Sequence, residues 1–142
     1  MILLPRALLK EIVEAGEAAY PEECCGLLVG FGETGGELTV TGVERSPNMA
    51  GEEAAKRFEV SAQVRFDVMR KLEDGPKRII GHYHSHPDQA AQPSANDLEM
   101  AWEPDLVWLI TSVADGQAIH TTAHLPHPDG SGFSEITLRT ND

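Results

Sequence analysis

Positive charge is scarce in this chain. Its 142 residues hold 11 lysines and arginines against 23 aspartates and glutamates, a net charge of −12. Phosphate backbones and anionic membranes are gripped by clustered Lys and Arg, so no nucleic-acid and no membrane partner is expected. A basic protein partner or a high-salt milieu both agree with this charge. Cysteine is almost missing as well. The two present, Cys24 and Cys25, are adjacent, and neighbouring cysteines bridge one another only with strain. No disulfide framework is implied, as in a reducing compartment. Long apolar runs are absent: no stretch approaches the ~20 residues that span a bilayer. The N-terminal run is broken by Pro5 and Arg6, with no small-residue cleavage site after it, so it does not read as a signal peptide. A cytoplasmic location is the expectation. There is no internal repeat, low-complexity tract or linker, and the length suits one domain, residues 1–142, with a proper core.

What is present reads as alternating helices and strands. Leu8, Leu9, Ile12, Val13, Ala19 and Tyr20 form one stripe of a helix from Arg6 to Tyr20, with Gly16 on the same stripe allowing close packing. Pro21 stops it. Cys25–Phe31 is a buried strand, and Glu37–Arg45 alternates and should pair with it across a glycine-rich turn. Residues 46–56 read as an exposed loop and Arg57–Val60 as a short strand. Ser61 caps a helix from Ala62 to Glu73, with Val64, Val68 and Leu72 on one face. Asp105–Val113 is the most strand-like run and should be central. Gln117–Leu125 and Glu135–Arg139 are further strands. Trp102 and Trp108 read as packing. The pattern is α+β, with one mixed sheet flanked by helices.

The chemistry concentrates in Gly81–Glu99, GHYHSHPDQAAQPSANDLE. Side chains two apart on a strand share a face, so His84 and His86 can reach one ion while Tyr83 and Ser85 point away. Pro87 ends the strand. Asp97 follows at the start of a short helix opened by Ser94. Two imidazoles and a carboxylate with one position left open are how catalytic zinc is held. Ser94 and Asp97 also resemble a capping box, which by itself would account for both. The two readings are compatible, since one carboxylate oxygen can cap while the other binds metal. Glu22 and Glu23, just ahead of the first long strand, are either solvated or aimed into a cleft, and taken alone they read as surface.

Together these elements resemble the JAMM (MPN-plus) metalloproteases, whose signature is an upstream glutamate, then H-x-H-P, then S-x-x-D. Here these are Glu23 in ECCG, His84-Ser85-His86-Pro87, and Ser94-Ala95-Asn96-Asp97. The order of elements agrees over most of the chain. The resemblance implies the family's α+β fold, a cytidine-deaminase-like three-layer arrangement with a single mixed sheet. It implies one Zn2+ per chain held by His84, His86 and Asp97, Glu23 as general base, and Ser94 as oxyanion donor. It moves Glu23, though not Glu22, from surface to site. One departure is His82, where the family commonly has a bulky apolar residue. It shares His84's face and is read as a non-ligand, because the three-ligand set is complete. His120, His124 and His127 read as exposed or satisfied, and Cys24 and Cys25 as small residues at the core's edge.

The resemblance implies a zinc metallopeptidase or isopeptidase of the compact prokaryotic type. Its substrate would be a small β-grasp ubiquitin-like or sulfur-carrier protein, cut at a C-terminal Gly-Gly tail. A tail of that kind suits a narrow channel and would bind as an added strand. The alternative is a metal-free scaffold of the same fold, which has no need of all five site residues. A zinc deaminase would need Cys-x-x-Cys and H-x-E strings, and neither occurs.

Overall fold

A computed structural model describes residues Met1–Asp142. Eight strands form one mixed sheet: β1 (Ile2–Pro5), β2 (Cys25–Gly32), β3 (Leu38–Ser46), β4 (Arg78–Pro87), β5 (Val107–Ala114), β6 (Gln117–Pro126), β7 (Phe133–Ile136) and β8 (Leu138–Asn141). Their order is β7-β6-β5-β4-β2-β3-β1-β8. The β4–β5, β1–β3 and β1–β8 pairs are parallel, and the rest antiparallel. Helix α1 (Arg6–Ala19) covers one face. Helices α2 (Ala62–Lys71) and α3 (Ala95–Glu99) lie on the other. This is the α+β arrangement expected, with a helix layer on each side of the sheet.

The apolar stripe of α1 is buried through Ile12, Ala15 and Gly16. A Cβ added at Gly16 would lie 3.2 Å from Val113 and 3.4 Å from Ser85, so the glycine sets how closely α1 approaches the back of the site strands. Ser61 caps α2 by accepting a hydrogen bond from the Val64 amide at 3.3 Å. Gly26 is needed for a different reason. A Cβ there would sit 2.4 Å from both the Glu44 carbonyl and the Tyr83 ring, so only glycine lets β3 and Tyr83 close over the start of β2.

Four features depart from the sequence reading. Ile2–Pro5 is a strand, which four residues ahead of a helix gave no period to reveal. Its alternation buries Ile2 and Leu4 completely, and the Ile2 amide donates to the Thr137 carbonyl at 2.9 Å. The expected strand Glu135–Arg139 is two, β7 and β8, at opposite edges of the sheet. Arg57–Val60 is not a strand, since only Val60 forms an isolated bridge, to Asn48. Residues 46–56 are more than an exposed loop. Ala54 is buried, and the Asn48 amide nitrogen donates to the carbonyls of Glu23 at 3.0 Å, Arg57 at 3.0 Å and Ala54 at 3.3 Å.

Candidate active site

The site forms at the C-terminal end of β4, where the strand's two faces do different work. Tyr83 packs into the core on the α1 side. Ser85 accepts a hydrogen bond from the Cys24 amide at 2.8 Å, which fixes the entrance of β2 against β4. Both cysteines are buried and free. On the other face His84 and His86 converge. Their Nε2 atoms are 3.0 Å apart, and Asp97 Oδ2 is 3.3 Å from the first and 3.1 Å from the second. Ligand bonds of about 2.0–2.1 Å in a tetrahedral shell place donor atoms about 3.3 Å apart. The three donors already stand at that spacing, so they fit a small divalent ion.

Each donor is held by something different. His86 Nδ1–H donates to the Ala90 carbonyl at 3.0 Å, which leaves the Nε2 lone pair facing the other donors. His84 is held by packing. Its ring stacks on Phe58 at 4.1 Å and 17°, and meets Trp108 edge-on at 5.6 Å. Its Nδ1 has no hydrogen-bond partner. Asp97 sits in a full capping box. Contrary to the expected division between its two oxygens, the Oδ2 that faces the imidazoles also accepts from the Ser94 amide at 2.9 Å, and the Asp97 amide donates to Ser94 Oγ at 3.1 Å. The cap uses a lone pair of the Ser94 hydroxyl and leaves the O–H free to donate. Capping and oxyanion donation therefore do not compete for the same proton. The loop before α3 is strapped at three successive carbonyls. Ser112 donates to Gln89, His86 to Ala90 and Thr122 to Ala91.

Glu23 completes the cluster. It is 4% exposed, and one of its carboxylate oxygens is buried with no partner. Ligand atoms of Glu23, His84 and His86 all lie within 4.8 Å of one another. These three can also hold a metal ion, but Asp97 lies nearer to both imidazoles. Glu23's amide donates to the Ala54 carbonyl at 2.7 Å, and its own carbonyl receives Asn48. The segment read as an exposed loop thus pins the residue first read as surface.

Burial pushes the Glu23 carboxyl up to about 8, with the Asp97 charge adding to the shift and His86 opposing it. Burial alone would raise Asp97, but the nearby His84 charge and hydrogen bonds from His84, His86 and the Ser94 amide bring it well below the usual carboxylate range. His86 is raised despite its burial by Asp97 and the Ala90 carbonyl, whereas burial lowers His84. Because Glu23's native value lies above its unfolded one, its contribution favours folding below about pH 4.5 and is lost as pH rises through about 8. Without metal, Glu23→Gln should match the wild-type melting temperature near pH 5 and exceed it near pH 9, by the equivalent of a few kcal/mol. A gap that stayed flat over this range would contradict the burial of the carboxylate.

The structure brings Glu23, His84, His86, Ser94 and Asp97 together. His82 shares His84's face, as its spacing predicts. It packs edge-on against Trp108 at 4.3 Å with its Nδ1 unpartnered. Burial lowers it to about 3, so it is neutral. His124 is buried and satisfied by Thr122 at 2.8 Å. Trp108 is packing, as read, but Trp102 is 77% exposed, its indole N–H donating to the Glu99 carbonyl at 2.7 Å at the end of α3. Sequence reasoning missed Asn48, Phe58 and the Ala90 carbonyl. No local pattern marks them, since each acts through a contact distant in sequence or through its backbone.

Comparison with known proteins gives consistent results. The sequence profile described as prokaryotic homologs of the JAB domain matches residues 5–124. A desampylase of Haloferax volcanii is 32% identical over 132 residues, covering 93% of this chain and 88% of that protein. A CysO-cysteine peptidase of Mycobacterium tuberculosis is 30% identical over 118 residues, covering 80% and 75%. Among solved structures, a protein from Desulfitobacterium hafniense superposes with a TM-score of 0.84 at 26% identity, covering 100% of this chain and 94% of the other.

Proposed function

The chain belongs to the family of prokaryotic homologs of the JAB domain, and from that premise we propose that it is a zinc-dependent peptidase or isopeptidase cutting the amide bond after a C-terminal Gly-Gly tail. It is a hydrolytic enzyme of the JAMM type, and relatives are named as a desampylase and a CysO-cysteine peptidase. The observation that carries the proposal is the convergence of His84, His86 and Asp97 beside a buried carboxylate with a partnerless oxygen. The substrate is a small β-grasp ubiquitin-like or sulfur-carrier protein, and the domain spans residues 1–142. No helix is long and apolar enough to cross a membrane.

His84, His86 and Asp97 hold the ion. When bound, zinc lowers the pKa of a water to about 7 and polarises a carbonyl. The chain's own groups do the remaining work. Glu23 takes a proton from the attacking water and delivers it to the leaving amine. A carboxylate beside the ion that is not itself a ligand can shuttle protons in this way. The free Ser94 O–H donates to the carbonyl oxygen as negative charge develops there. His86 is kept in one tautomer by Ala90, and Asp97 is kept anionic by the two imidazoles and, to a smaller extent, the Ser94 amide.

Two results test this. Zinc-loaded protein should release a fluorogenic amine from a Gly-Gly-ended carrier, a chelator should stop it, and added zinc should restore it. Release that ignores the chelator, or none at all, overturns the proposal. Ser94→Ala should lower kcat by about 10- to 1,000-fold and destabilise the fold by about 1 kcal/mol through the lost cap. Ser94→Thr should keep the stability.

A further inference from the structure

The negative charge of this chain is not evenly spread. Seven of its eleven basic residues fall between Lys56 and Arg78, together with only four of its 23 acidic ones. That segment carries net +3, while the rest of the chain, with four basic and 19 acidic residues, carries −15. The segment contains α2, and the cations gather round a groove of about 280 Å³ between α2 and the start of β4. Met69, Leu72, Ile79 and Leu106 line it with apolar surface, and Lys77 and Arg78 supply its net charge. The one acid there, Glu103, is already taken by a two-pronged bond from Arg65 at 2.7 and 2.8 Å. Neither Lys77 nor Arg78 forms an ion pair. Phe66 and Met69, one turn apart on α2, are each 55% exposed.

The groove adjoins a second cavity whose wall includes a neighbour of the site. Arg65 and Glu103 also line a second cavity of about 260 Å³ that holds Phe58, His82 and Trp108, and Phe58 stacks on His84. Ile79 lines the groove, and His84 lies five residues further along β4. At about 3.3 Å per residue that distance is about 17 Å, the reach of five extended residues.

Resting on the peptidase reading above, we propose that this groove docks the folded body of an acidic carrier protein, whose flexible tail of at least five residues then runs past Phe58 and His82 to the site. The charge complementarity is local: an acidic partner is repelled by the molecule as a whole and accepted only at α2. That is a way to exclude wrong orientations as well as wrong partners. The apolar lining distinguishes this surface from a phosphate-binding one, where cations cluster without an apolar centre, and the overall field repels a polyanion.

The experiment separates docking from catalysis. Two β-grasp carriers with a five-residue flexible Gly-Gly tail are compared, one acidic and one with its surface acids changed to Asn and Gln. Binding is read by fluorescence anisotropy, which needs no turnover. Hydrolysis is read on a tail pentapeptide amide without a folded body. The acidic carrier should bind more tightly than the neutral one, and added salt should weaken it. Lys77→Glu with Arg78→Glu should weaken it by about tenfold or more, and the kcat/KM ratio of carrier to peptide should fall by a similar factor. The proposal is overturned if the acidic carrier does not bind, if it binds the double variant as well as wild type, or if the neutral carrier binds equally. Tighter binding of a single-stranded oligonucleotide at the same residues also overturns it. If the carrier docks as described but the pentapeptide stays intact, the docking surface stands and the peptidase reading fails.

Discussion

Replacing Glu23 by glutamine should lower turnover by about 10² to 10⁴ while the protein still carries about one metal ion per chain. Gln fills the same volume at a position that is 4% exposed, and the main-chain bonds of residue 23 to Ala54 and Asn48 are untouched. Only the capacity to take and return a proton is removed. The measurement is paired: turnover of the Gly-Gly-ended carrier, and metal content by mass spectrometry of the same preparation. The pairing matters because Glu23, His84 and His86 are close enough to bind an ion by themselves. If the variant loses metal together with activity, Glu23 is a ligand and the base lies elsewhere. If it keeps both, Glu23 is not the base. Retained metal with lost turnover is the expected result.

Removing the imidazoles should have the larger effect on the metal. With His84→Ala and His86→Ala together, zinc should fall from about one per chain to none, turnover should become undetectable, and a chelator should no longer change the melting temperature. The wild-type protein, by contrast, should lose stability to a chelator, because an ion that binds only the folded form stabilises it by mass action. The variant's fold needs its own control. His84 is fully buried against Phe58, and cutting a buried ring to Ala leaves a cavity that costs about 2–5 kcal/mol. Circular dichroism and a cooperative melt would show that the sheet survives. Undiminished zinc in a folded variant would sink the ligand assignment.

Much of the site was legible because its information is local. His84 and His86 share a face through the two-residue period of a strand. Ser94 and Asp97 face each other through the three-residue step of a helix's first turn. Both relations hold wherever the backbone is regular, and the distances at Nε2, Oδ2 and Oγ agree with them. Glu23 was legible only through resemblance. Its own neighbourhood favoured solvent, and nothing in ECCG says that the carboxylate is buried. The structure supplies the reason in Asn48, which ties residues 23, 54 and 57 together across a segment whose polar composition suggested an open loop.

The same division holds for the fold. Periodicity gave α1, α2 and β3 at close to their observed limits, because each is long enough to repeat its pattern; continuous apolar runs gave β2 and β5, and Pro87 marked the end of β4. It failed at β1 and at the split between β7 and β8, where four-residue strands carry too few repeats to show a period or to say which edge they join. Net charge was read correctly as a sum and incompletely as a field. The sequence shows −12, but only the folding of Lys77 and Arg78 against α2 gathers cations around one groove. Thus the sequence by itself determined which groups can do chemistry, through the short-range geometry of a strand end and a helix cap. Tertiary structure alone decided the burial of Glu23, the orientation of His86 by Ala90 and the placing of Phe58 against His84, because each depends on a contact between chain segments that no local period encodes.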